Sequence, residues 1–228
     1  MDFFFPKRCV SCRALGSYLC PACLSQIKFV KEAVCPVCER QAIGGAAHPR
    51  CQSKYSLDGL TSVCVYEGPV KAAIHRLKYR PWITDLGEFL AGMILKRGDS
   101  SFLMEDKGNW LVVPVPLHPS RKRERGFNQA EILGKLLAQK LGLNFRPDLL
   151  IRHKKTKPQA ELKGKERQEN IKNAFMLNSN LQLDNLKICN SNALLIDDVW
   201  TTGTTLRICG GVLKRAGALK VWALTLAR

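Results

Sequence analysis

No apolar run in this 228-residue sequence approaches the ~20 residues that a membrane-spanning helix needs. The first apolar cluster, Phe3-Phe4-Phe5, is broken at once by Pro6 and is too short for the core of a secretion signal. A cytoplasmic location is therefore expected. Negative charge is also scarce: 19 Asp and Glu face 36 Lys and Arg, a formal charge of +17. A balance this basic favours polyanionic partners such as nucleic acid, phosphate-rich ligands or an anionic membrane face. The plain alternative is a solvated basic surface. The excess is uneven, since the stretch from Arg121 to Lys172 holds fifteen Lys and Arg against six Asp and Glu. The opening segment lacks the large apolar side chains that a core requires, so something other than hydrophobic burial must fold it.

Cysteine is what that segment has instead. Seven of the ten cysteines precede Tyr55. Clustering of this kind in a cytosolic chain argues for metal rather than disulfides. Cys9-x-x-Cys12 and Cys20-x-x-Cys23 bring four thiols within reach of one tetrahedral zinc. Cys35-x-x-Cys38 followed by His48-x-x-Cys51 forms a second unit, with imidazole as the fourth ligand. One or two structural zinc ions are expected; thiol redox chemistry is the competing explanation for paired Cys-x-x-Cys motifs. Cys64, Cys189 and Cys209 have no partner spacing and are expected as small buried hydrophobes.

The remainder alternates apolar strands with amphipathic helices, an α/β pattern. Strands are predicted at Leu60 to Tyr66, Trp110 to Leu117 and Lys220 to Leu226. Helices are predicted from Gly68 to about Arg80 and over Leu86 to Arg97, with a polar linker from Asp99 to Asn109. His75 falls on a polar helix side and reads as ordinary surface. Residues 117–129 read as a basic loop between a buried strand and a helix. The segment from Arg152 to Phe175, poor in apolar residues and rich in charge, reads as a mobile cationic flap or as a groove for a nucleic-acid backbone.

The most informative stretch runs from Leu194 to Leu206. An apolar strand delivers Asp197 and Asp198, and the loop Thr201-Thr202-Gly203-Thr204-Thr205 then opens a helix. A helix N-terminus presents unpaired backbone N–H groups and a positive dipole to an anion. The threonines add hydroxyl donors, and glycine permits close backbone approach. The carboxylates would repel a phosphate, so they suit sugar hydroxyls or hydrated Mg²⁺. The implied ligand is a phosphorylated sugar.

These residues resemble the 5-phosphoribosyl 1-diphosphate (PRPP) signature of type I phosphoribosyltransferases. That resemblance implies that Asp197 and Asp198 contact ribose and that Thr201 to Thr205 cradle the 5-phosphate. It also places Val115 to Ser120 at the diphosphate loop, with Arg121, Arg123 and Arg125 behind it, and implies Mg²⁺ accompanying PRPP.

The wider pattern, with VPVPL, RGFNQ at Arg125–Gln129, T-x-P-Q from Thr156 and DDVWTTGTT, resembles the ComF family. His48 stands where many of its members carry cysteine. The resemblance implies a type I phosphoribosyltransferase-like α/β fold with a mainly parallel sheet over residues 59–228. Residues 1–58 would form a small double zinc-ribbon head. It implies natural transformation, with single-stranded DNA and DNA-uptake or recombination proteins as partners. Two other functions fit the same residues: a metabolic phosphoribosyltransferase acting on an unidentified nucleophile, and a non-catalytic PRPP- or nucleotide-sensing module.

Overall fold

Burial on both faces accounts for the central layer. In a computed structural model that describes residues 7–78, 84–98, 109–154, 173–179 and 188–228, five parallel strands form one sheet. They are β1 (Gly59–Cys64), β2 (Trp110–Pro114), β3 (Asn144–Phe145), β6 (Asn192–Val199) and β7 (Val221–Ala227), in the order β1-β7-β6-β2-β3. All residues of β2 and β7 are buried, as expected where helices cover a parallel sheet on both sides. A short antiparallel pair, β4 (Leu150–Arg152) and β5 (Phe175–Leu177), stands apart.

The helices divide between the two faces. Period-two alternation along β6 sends Leu194 and Ile196 to one core and Ala193 and Leu195 to the other. The first core takes its other side chains from α2 (Gly68–Lys78), α3 (Thr84–Arg97) and α5 (Gln129–Leu141). The second is filled by Leu206, Cys209 and Leu213 of α6 (Thr204–Arg215) and by Phe175 of the antiparallel pair. The chain therefore leaves β2 toward β3 over one face and leaves β6 toward β7 over the other. Neighbouring strands with diverging connections create a topological switch point, where a crevice opens at their carboxyl ends.

Predicted elements match observed ones with their ends displaced by a few residues. The strand expected to run to Leu117 stops at Pro114, although Val115 N–H still donates to Ile196 O at 2.9 Å. The basic stretch is not a loop. Residues Pro119–Arg125 form a seven-residue helix, α4. Proline stands in its first turn, the His118 ring accepts from Ser120 N–H, and Gly126 ends it in the left-handed region at φ 84°. Cys64 and Cys209 are buried as expected, but Cys189 is exposed, its thiol donating to Ala216 O at 3.3 Å. Cys189 lies on a turn, and an apolar neighbourhood in sequence does not enclose a turn residue. The expected linker (Asp99 to Asn109) and flap (Arg152 to Phe175) lie mostly at residues 99–108 and 155–172, outside the described residues; the flap's two ends, Arg152 and Phe175, are paired strand residues of β4 and β5.

The cysteine-rich head contains a short helix, α1 (Pro21–Leu24). It has little core of its own, and Cys9, Leu19, Cys20, Cys23 and Ile27 join the first core of the sheet. It also covers the sheet's edge: Val30 N–H bonds Val63 O at 2.9 Å, Val65 N–H bonds Lys28 O at 2.9 Å, and Ala47 N–H bonds Asp58 O at 2.8 Å. An uncovered edge at β1 would be a template for pairing with other chains.

Candidate functional site

The crevice at the switch point is built from the ends of β2 and β6. Val115, Pro116 and Leu117 line it from one strand, and Asp197, Asp198 and the Thr201–Thr205 loop from the other. Gly203 sits at φ 66°, and a Cβ there would stand 2.1 Å from the Trp200 indole. Only glycine permits this turn over the buried tryptophan. No side chain caps α6 at Gly203, which leaves its first turn oriented for an anion. Thr202 and Thr204 hydroxyls bond each other at 3.0 Å.

The RGFNQ motif has a structural explanation. Gly126 terminates α4. Asn128, 1% exposed, donates its amide to Val115 O at 2.9 Å and caps α5 by accepting from Ala130 N–H at 3.1 Å. Gln129 Oε1 accepts from Arg125 Nη1 at 3.3 Å and so orients that guanidinium. Arg121 and Arg125, one helical turn apart, both line the crevice. Arg123 does not; it is exposed on the opposite side of α4, because residues two apart on a helix face different directions.

Sequence reasoning missed two crevice residues. Lys78, at the end of α2, places its ammonium 2.5 Å from Asp198 Oδ2. Burial alone would push Lys78 down, but the Asp198 and Asp197 carboxylates outweigh it and hold the amine above its ordinary value. Arg152, on β4, also lines the crevice and stacks over Phe175 at 5.2 Å. Burial and then the nearby Arg121 lower it from the usual guanidinium range. Two guanidiniums that repel each other across an opening are relieved by an anion placed there. Nothing local marks Lys78; Arg152 had a signal, since a basic residue ends an apolar pair at the start of the cationic segment.

The acidic pair is electrostatically unequal. Asp197 is pushed up to about 8 by burial and then by the neighbouring Asp198 carboxylate. Asp198 N–H donates to Asp197 Oδ1 at 2.8 Å. The pair thus holds a proton more tightly than an isolated carboxylate does, while the Lys78 ammonium faces Asp198.

The head holds two ligand clusters. Cys9, Cys12, Cys20 and Cys23 form one; Cys35, Cys38, His48 and Cys51 form the other. In each, the ligand atoms lie within 4.8 Å of one another, compatible with a tetrahedral ion at bond lengths of about 2.0–2.3 Å. Burial pushes the Cys9 and Cys35 thiols up, but backbone N–H groups of the knuckles outweigh it, bringing them to about 6 and about 7. Burial and neighbouring thiols raise Cys23 to about 12 and Cys51 to about 11. In each cluster a first thiol ionises readily and the last resists it, and a divalent cation would relieve the repulsion between thiolates.

His48 fits as a ligand. Its Nδ1 lies 3.3 Å from Cys38 Sγ, and its Nε2 bonds Gln41 O at 2.9 Å. A carbonyl partner on the far nitrogen orients an imidazole for metal. The two sites fit structural zinc.

Sheet order and crevice put the larger part of the chain in the class of phosphoribosyltransferase-like α/β folds, here carrying a zinc-binding head. A double zinc ribbon domain family model matches residues 1–52. The chain is 30% identical to Competence protein F of Haemophilus influenzae over 234 residues, 98% of this chain and 99% of that protein. It is 30% identical to DNA utilization protein YhgH of Salmonella typhimurium, with 96% of each chain covered. Competence protein ComFC of Bacillus subtilis is 27% identical over 92% of this chain and 84% of its own length. The chain belongs to the ComF family.

Proposed function

We propose that this protein binds PRPP, or a closely related phosphoribosyl ligand, in the β2–β6 crevice and handles single-stranded DNA during natural transformation. The observation that carries the ligand is the convergence of the acidic pair, the threonine loop and the basic helix on one crevice. In this reading Thr201, Thr202, Gly203, Thr204 and Thr205 take the 5-phosphate, and Asp197 and Asp198 take the ribose hydroxyls. Arg121 and Arg125, joined by Arg152, take the diphosphate; bidentate guanidinium contacts suit its oxygens. Mg²⁺ arriving with the diphosphate would have the Asp197 and Asp198 oxygens in reach through water and would offset phosphate charge.

The DNA role draws on the names of the relatives and on the charge of +17. It carries with it a cytoplasmic site of action, DNA-uptake or recombination proteins as partners, and two units at residues 1–58 and 59–228.

Calorimetric titration of PRPP with Mg²⁺, with and without single-stranded DNA, tests both halves. Saturable PRPP binding that the D197N/D198N variant lacks is expected. DNA affinity should fall steeply between 0.05 and 0.3 M salt, as counterion release requires. PRPP binding indistinguishable between wild type and the double variant would refute the site; DNA affinity unchanged at 0.3 M salt would refute the polyanion surface. Diphosphate release across a panel of ammonia, amines and nucleobases separates a transferase from a binding module.

A further inference from the structure

The second zinc cluster and the threonine loop are far apart in sequence, yet one side chain holds both. Arg207 lies in the first turn of α6. Its Nε donates to Pro36 O at 2.6 Å, its Nη2 to Glu39 Oε1 at 2.6 Å, and its Nη1 to Thr202 O at 2.9 Å. The guanidinium also stacks on the Trp200 ring at 5.1 Å. Pro36 lies between the ligands Cys35 and Cys38, and Glu39 follows Cys38 directly. Thr202 and Trp200 flank the turn at Gly203. The planar fork of one arginine therefore bridges the metal knuckle and the anion loop.

The geometry at each end gives this bridge a consequence. A trans peptide points its C=O and its N–H in opposite directions. With Thr202 O drawn toward Arg207, the Gly203 N–H points away from Arg207. At the other end, Glu39 has a left-handed φ of 61°, and Arg13 has φ 66° at the same place in the first knuckle. That backbone shape belongs to a Cys-x-x-Cys turn wrapped around its metal. A carboxylate at this position in the second knuckle, where the first has a guanidinium, is what meets Arg207. Trp200 is 4% exposed and its backbone N–H donates to Ala227 O at 2.8 Å, so the residue that carries the stacking ring is tied to the sheet.

We propose that Arg207 is a positioning residue that couples the second zinc site to the anion loop. Zinc at Cys35, Cys38, His48 and Cys51 and a phosphorylated ligand at Thr201 to Thr205 then strengthen each other's binding. The linkage half rests on the phosphate reading of the loop. By reciprocity, whatever factor zinc contributes to ligand affinity, the ligand contributes to zinc affinity. The first zinc cluster makes no such bridge among the described residues and serves as the internal reference.

The test uses full-length, zinc-loaded protein. Partitioning of zinc at equilibrium with a chromogenic chelator is measured with and without saturating ribose 5-phosphate, whose binding is measured separately by calorimetry. In wild type, one of the two zinc equivalents should be held about 5-fold or more tightly with the sugar phosphate present, within the usual range of coupling. Cys38→Ser should remove that protected equivalent, and Cys12→Ser should retain it. Arg207→Met should abolish the protection. Arg207→Lys should fail to restore it, because an ammonium cannot make the fork, and Glu39→Gln should weaken it. Wild type that binds ribose 5-phosphate with unchanged zinc partitioning overturns the coupling and leaves the phosphate reading standing. If wild type does not bind ribose 5-phosphate, the phosphate reading fails and linkage fails with it. Amide hydrogen exchange then decides whether Arg207 positions the loop: residues 201–206 should exchange several-fold faster in Arg207→Met and Cys38→Ser than in wild type or Cys12→Ser. Equal exchange in all four overturns that as well.

Discussion

At the scale of single residues, the crevice is governed by three charges. Lys78 reaches Asp198 from another part of the chain, and the aspartate side chain is only 7% exposed. Removing one partner of a buried pair leaves the other uncompensated, which costs about 3–5 kcal/mol where burial is complete. Because Lys78 keeps 22% of its side chain exposed, Lys78→Met is expected to lose about 2–4 kcal/mol in urea unfolding. Asp197 makes a prediction in pH. The folded chain holds its proton up to about 8, whereas an unfolded aspartate releases it near pH 4, as a rough guide. The folded state therefore binds more protons in that window. The stability this proton contributes is full below about pH 4 and is lost as pH rises to about 8. If the crevice takes a phosphoribosyl ligand as proposed, binding runs the opposite way, since sugar hydroxyls would donate to the ionised carboxylate. PRPP affinity should rise from pH 6 to pH 8, with proton release visible as a buffer-dependent heat of binding. Asp197→Asn should flatten that profile.

At the scale of elements, α4 determines which basic residues matter. As a loop, Arg121, Arg123 and Arg125 would be equivalent. As a helix, it turns two of them into the crevice and one into solvent. Arg121→Ala and Arg125→Ala should each weaken PRPP binding about 10-fold or more, the scale of a lost charge-assisted bond. Arg123→Ala should change it less than about 2-fold. The helix was not read from sequence because its punctuation, Pro119 and Gly126, also suits a loop, and its seven residues carry no apolar face. The Thr201–Thr205 loop, in contrast, was legible as a turn from a strand into a helix N-terminus. Gly203 shows why: its φ of 66° and the indole 2.1 Å from a would-be Cβ admit no other residue. Gly203→Ala is expected to destabilise the loop and reduce PRPP binding by about 5- to 150-fold, through a local strain of order 1–3 kcal/mol at the ligand contact, measurable by the same titration.

At the scale of the molecule, the head and the sheet share a core. Leu19 and Ile27 are buried with residues of α2 and α3, and backbone bonds tie the head to the edge strand. Stripping zinc should therefore lower the melting temperature of the sheet as well as unfold the head. Loss of those two side chains' burial, roughly 3–6 kcal/mol, corresponds to a shift of roughly 6–24 °C in a chain of this size. Scanning calorimetry with and without chelator checks it; an unchanged main transition would show the head to be thermally independent.

What the sequence determined by itself was whatever short-range chemistry dictates. The apolar runs became buried parallel strands, the Cys-x-x-Cys turns became metal knuckles, and Thr-Thr-Gly-Thr-Thr became a helix-opening loop. Each depends on neighbours within a few positions, so period and residue type suffice. Tertiary structure alone decided which strands adjoin, and hence that the crevice lies between β2 and β6. It also brought Lys78 to Asp198, turned Arg123 away, and bridged the second knuckle to the anion loop through Arg207. Those contacts join residues up to 171 positions apart. They follow from the packing of two cores around one sheet, a condition on the whole chain that no local pattern encodes.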